Sequence, residues 1–163
     1  MVRVKGDSAV GGGGRIAVGE GYTFMVSEAG IAKAFDDGGD EGFQFKVEVT
    51  GAPDGLESEI GKEMSFQNFY GARLFKVAAA LCLTNKATGK AYTPADNEAH
   101  VQAIKDKQPT GDFDFDEQEA VGREFGADVV MGKPRKTGAY AGQAFPQIGN
   151  KIVCVIDSGN AMD

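Results

Sequence analysis

Three cations, Lys133, Arg135 and Lys136, stand within four residues of one another in "GKPRKTGAYAG". The chain around them is acidic, with 24 Asp and Glu against 17 Lys and Arg. Pro134 and the flanking glycines mark the stretch as a turn. Cations on a turn can serve solubility, or they can hold a polyanion by pairing with its phosphates and releasing counterions. Lys46, Lys62 and Arg73 fall on or beside strand-like segments and can join the same surface. Phe69 and Tyr70 at a strand end, and Tyr140 beside the basic turn, are rings on which bases could stack. The nine residues together are a candidate nucleic-acid site, set against the plainer reading of a solvated turn and a core of rings.

Other chemistries find less support. A single histidine, His100, argues against histidine-rich metal centres and against a histidine-dependent triad. Cys82 and Cys154 are too few and too far apart for a zinc site, and each lies in an apolar run as a buried thiol does. "GGGGR" lacks the G-x-x-x-x-G-K-[ST] spacing of a phosphate loop and reads as part of a flexible arm over 1–14. "DFDFDEQE" opens like a calcium loop, with Asp112, Asp114 and Asp116 at alternate positions. Glu117 then stands where the loop needs glycine, and Arg123 where it needs glutamate. The segment reads as a solvated connector. No enzyme, metal or cofactor is expected.

These residues need a scaffold. The chain has 163 residues, 42% of them hydrophobic and 24 of them glycine, which fits one β-rich domain with many turns. No apolar run reaches the length of a membrane span and no secretory leader opens the sequence, so a cytoplasmic protein is expected. "FQFKVEV" (43–49) alternates strictly and reads as a half-buried strand. A strand is expected before it (15–26, with an extension through "SEAGIAKAF") and another after it (62–70). The third carries an aromatic on each face, so its inward side stays open. "ARLFKVAAALCL" (72–83) shifts to helical period and is Ala-rich, as a buried helix is. Residues 84–122 read as an excursion. Its surface helix starts at "TPAD", with Thr93 as N-cap, Pro94 at N1 and Asp96 at N3. Strands return at 123–131, with Phe125, Val129 and Met131 on one face, and at 139–148 and 151–156. A short tail covers 157–163.

Three strands, a helix and two or three strands is the connectivity of the OB-fold, a small Greek-key barrel. The expectation is therefore a mainly β, OB-like barrel over 15–156. One buried helix lies between its third and fourth strands, and a helical insertion spans about 84–122. In such a barrel the basic turn joins the fourth and fifth strands and flanks the oligonucleotide groove.

The pieces "GEGYTFMVSEAGIA", "FQFKVEVTGAPDG", "IGKEMSFQNF", "ARLFKVAAAL" and "VGREFGADVVMGKPRKTGAYAGQAFPQIGN" resemble a group of short phage-encoded proteins associated with single-stranded DNA binding and recombination. The resemblance runs from about residue 15 to 155. It implies sequence-independent binding of single-stranded DNA in phage replication or recombination, inside the host cell. It also implies phage replication or recombination proteins as partners, with self-association left open. The ending "IDSGNAMD" is short and only mildly acidic, unlike the longer acidic tails of many such proteins. The rival reading is a phage structural or adaptor protein that ignores nucleic acid.

Overall fold

The computed structural model describes residues 15–33, 40–134, 136–139 and 141–155. The arm expected over 1–14 and the tail over 157–163 lie outside the described residues, as do Arg135 and Tyr140. Strict alternation makes β2 (Gly42–Gly51): Phe43, Phe45, Val47 and Val49 are buried, and Gln44, Lys46 and Glu48 turn to the wet face. β1 (Gly19–Ala32) is the longest strand at 14 residues. Its length lets it pair with β2 and, through its first half, with β6 (Glu124–Met131). β3 (Glu63–Phe69) flanks β2, and β7 (Pro146–Cys154) flanks β6. The sheet order is β3-β2-β1-β6-β7, every neighbour antiparallel. A separate hairpin, β4 (Thr84–Asn85) with β5 (Lys90–Ala91), opens the excursion.

Alternating directions leave the two edges, β3 and β7, running the same way. Side chains hold these edges together, so the sheet curls into a half-barrel. Gln67 accepts from the Ile148 N–H at 3.2 Å and donates to the Ser65 carbonyl at 3.1 Å. Arg73 donates to the Asn68 carbonyl at 3.1 Å and to the Ile148 carbonyl at 2.9 Å. Lys76 donates to the Asn150 carbonyl at 3.0 Å. Among the described residues no backbone ladder joins β3 to β7. Side-chain bridges of this kind also satisfy an edge that would otherwise invite another strand.

Inside the curl lies a run of rings. Tyr22, Phe24, Phe45, Phe69 and Phe125 are fully buried, with neighbouring centroids 5.6–6.3 Å apart in tilted, stacked or edge-on contacts. Helix α1 (Gly71–Ala80) packs chiefly on β7 and buries Val77, Ala78, Ala79 and Ala80. Its alanines allow the close approach.

The helix expected to run to Leu83 ends at Ala80, with Leu81 as its C-cap. Cys82 adopts φ 53°, the Cys82 N–H bonds the Ala79 carbonyl, and the Leu83 N–H bonds the Ala78 carbonyl. That is the Schellman ending, with cysteine where glycine is usual. A side chain in the left-handed region costs about 1 kcal/mol. Cys82→Gly is therefore expected to stabilise the fold by roughly 0.5–1 kcal/mol, read as a higher urea midpoint at unchanged slope.

The excursion is tightly built. Asn85, only 5% exposed, accepts from the Ala87 and Asp114 N–H groups and donates to the Asp112 carbonyl. Thr93 and Asp96 form the full capping box of α2 (Pro94–Lys105), as the "TPAD" spacing predicts. That helix buries no residue, and Val101 and Ile104 are exposed. Among the described residues no helix is long and apolar enough to cross a membrane.

Two strand expectations are corrected. Met131 was placed on the inward face with Phe125 and Val129 and is 50% exposed. The strands expected over 139–148 and 151–156 are one strand, β7. Pro146 is its first residue, at the sheet edge, where a missing N–H breaks no ladder.

Candidate nucleic-acid interface

Lys46 sits on the wet face of β2, where the pairing with β3 slips by one. Phe45 pairs with Gln67 but Val47 pairs with Met64, so Ser65 and Phe66 both stand opposite Lys46. This bulge reverses the strand's phase. Met64 and Phe69 are both buried despite opposite parity, and Phe66 emerges 45% exposed. By sequence Phe69 is a candidate stacking ring. Fully buried among Phe45, Phe125 and the Arg73 guanidinium, it has no face for a base. Phe66 is the ring that does, and the alternation of the sequence gives no sign of the slip.

The cations do not converge as expected. Lys46 lies 3.6 Å from Glu28 and 3.8 Å from Glu63, so two carboxylates already hold it. Lys62 is 3.0 Å from Glu59. Arg73 is drawn into the seam between β3 and β7, its guanidinium 4.9 Å from the Phe69 ring centre. Desolvation lowers its pKa from the usual arginine value. Its guanidinium is committed to main-chain carbonyls on both sides of this seam. Tyr70 donates to the Lys33 carbonyl at 2.7 Å. Its ring also lies where a Cβ on residue 42 would be 2.6 Å away, so glycine there is required. Tyr70 thus fastens the end of β1 to the end of β3.

Glu59, 7% exposed, organises the approach to β1. Its carboxylate accepts from the Ala17 N–H at 2.8 Å and from Lys62 at 3.0 Å. Burial alone would raise its pKa; the Ala17 and Lys62 contacts outweigh burial and leave it below the usual glutamate value. A depressed carboxylate contributes stability that is complete above its unfolded pKa and lost as the pH falls through its folded one. Glu59→Gln should therefore cost about 1 kcal/mol at neutral pH, and the gap to the parent should close as the pH drops below about 4. Urea unfolding at pH 7 and pH 3 measures both ends; a gap equal at the two pH values would refute the role of the charge.

Lys133 and Lys136 are exposed on the loop between β6 and β7, with no ion pair among the described residues. Gly132 anchors the loop by donating to the Phe145 carbonyl at 2.9 Å. Arg15 joins it, 4.4 Å over the Phe145 ring centre and 3.3 Å from Gln143. Arg15, the first residue after the expected arm, carries no sequence signal for this contact. Gln67 lies beside Ile148, and β3 and β7 run the same way. The loop before Pro146 therefore rises beside the residues preceding Gln67, Phe66 among them. The exposed ring and the basic loop thus lie toward the same end of the β3–β7 seam.

The acidic connector is structural. Asp116 caps a 3-10 turn, and Glu119 accepts from the Thr84 N–H and hydroxyl and pairs with Arg123 at 3.3 Å. No family model matches the chain, and no curated protein or solved structure matches it either.

Proposed function

We propose that the chain is an OB-like barrel that binds single-stranded DNA without sequence preference, as a non-enzymatic component of phage replication or recombination in the host cytoplasm. The observation that carries this reading is the strand order β3-β2-β1-β6-β7 with a buried helix between β3 and β6. In OB-folds the face of the second and third strands and the loops beside it take oligonucleotides. Here that face offers Phe66 beside Lys46, and the β6–β7 loop offers Lys133 and Lys136. Stacking on Phe66 supplies affinity that does not depend on base identity, and the loop cations supply phosphate contacts. Lys46 is shared between Glu28 and Glu63, so its net contribution is small and stacking carries more of the binding on the sheet itself.

Fluorescence anisotropy with a labelled oligo-dT strand at low and high salt tests the reading. Binding at low salt that weakens with a linear log–log slope is expected. An absence of binding at low salt ends it and leaves the structural or adaptor protein in its place.

A further inference from the structure

The excursion contributes no strand to the sheet and α2 buries no residue, yet its loops are held by capping, by Asn85 and by Glu119. What that rigidity maintains is a concavity of about 670 Å³ between the β4–β5 hairpin, α2 and residues 109–113. Its size is that of small-molecule sites. Tyr92, His100 and Phe113 give it ring walls, with centroids 4.7–6.5 Å apart. Ala99 and Ala103, on the same helix as His100, add only small side chains to the lining and leave room for a flat guest.

The polar groups are few and specific. The Tyr92 hydroxyl donates to Asn97 Oδ1 at 2.9 Å, and His100 Nδ1 lies 3.2 Å from the same hydroxyl. With its one proton committed to Asn97, the hydroxyl accepts from Nδ1–H. The tautomer that donates from Nδ1 to this hydroxyl leaves the lone pair on Nε2. Burial, and then the nearby Asp96 charge, push the Tyr92 hydroxyl up to about 12, so it keeps that proton. Nε2 has no hydrogen-bond partner among the described residues. Asp96 and Asp112 at the rim are balanced by Lys90 alone, which disfavours an anionic guest.

We propose that this concavity binds a planar, uncharged nitrogen heterocycle of nucleobase size, lying against the His100 and Phe113 rings and donating an N–H to His100 Nε2. The site stands on the cavity and does not depend on the strand-binding reading.

His100 is the only histidine, so its imidazole carbon-bound protons are a unique NMR reporter. Titration of the full chain with thymidine and with deoxyguanosine should move the His100 signal saturably, with a Kd in the millimolar range expected for so small a ligand. Cyclohexanol, which is neither planar nor aromatic, should leave it in place. Ala103→Leu should abolish the response while the amide spectrum elsewhere stays folded. His100→Phe, followed through the Ala99 methyl signal, should keep the stacking and weaken binding roughly tenfold through the lost acceptor. A His100 signal unmoved at about ten times the expected Kd, or moved equally by cyclohexanol, would overturn the proposal. Oligo-dT anisotropy on Ala103→Leu reads the barrel separately: unchanged there, it shows that loss of the nucleoside site and loss of strand binding are different events.

Discussion

Arg73→Ala is expected to lower the unfolding free energy by about 3 kcal/mol, the largest effect of any single substitution outside the ring core. Its guanidinium bridges the Asn68 and Ile148 carbonyls, and so ties β3 to β7 across a seam with no backbone ladder among the described residues. Removing it leaves two carbonyls short of a charged donor and uncovers the face of Phe69. The partners are main-chain groups, so no compensating apolar swap can remove both sides of the interaction. For a chain of this length the loss corresponds to a melting temperature lower by about 6–12 °C, measurable by far-ultraviolet circular dichroism. Arg73→Met keeps the stem over Phe69 but makes neither bond, and should recover only part of the loss. Arg73→Lys supplies one donor centre where two diverging ones are needed, and should fall between Met and the parent. A loss under about 1 kcal/mol for Arg73→Ala would mean that the seam is held by packing and not by this clamp.

That clamp marks where reading residues in order fails. Ile148 lies 75 positions beyond Arg73, and nothing local to "NFYGARLF" announces the contact. Arg73 therefore looked like a groove cation following Lys62. What is local was legible. β2 alternates without interruption, and every residue assigned inward is buried. The Thr93–Pro94–Asp96 cap closes as its spacing dictates, because all its partners lie within four residues. The helix 71–80 was visible by period and by alanine content, and its end was not, because Cys82 takes a left-handed turn that usually signals itself by glycine. β3 fails for a different reason. Its bulge opposite Lys46 is a property of the pairing with β2, and a slip of one residue turns Phe66 out and Phe69 in. The candidate site inherited both errors. The exposed basic loop lies between the last two long strands, as the sequence order has it, and the exposed ring on β3 is Phe66 rather than Phe69.

Reversing the loop charges, Lys133→Glu with Arg135→Glu and Lys136→Glu, should produce the largest functional loss. Each phosphate contact on a single strand contributes about 0.7 to the slope of log affinity against log salt. Three lost contacts flatten that slope by about 2, and the added carboxylates repel the strand besides, so affinity at low salt should fall by roughly 100-fold or more. The substitutions lie on a loop whose described lysines are exposed and make no ion pair with a described residue, so folding stability should hardly change, which a thermal melt can verify. Phe66→Ala works through a different force. Loss of one stacking ring costs about 1–3 kcal/mol, or roughly 5- to 150-fold in affinity, and it leaves the salt slope where it was. The two variants therefore separate on one plot: charge reversal changes gradient and intercept, and Phe66→Ala changes the intercept alone. Phe69→Ala, in contrast, should weaken binding only as far as it unfolds the protein, since its ring is enclosed by the core. If Phe66→Ala and the charge reversal both bound oligo-dT as the parent does, the strand would have to cross another surface, and this end of the β3–β7 seam would lose its assignment.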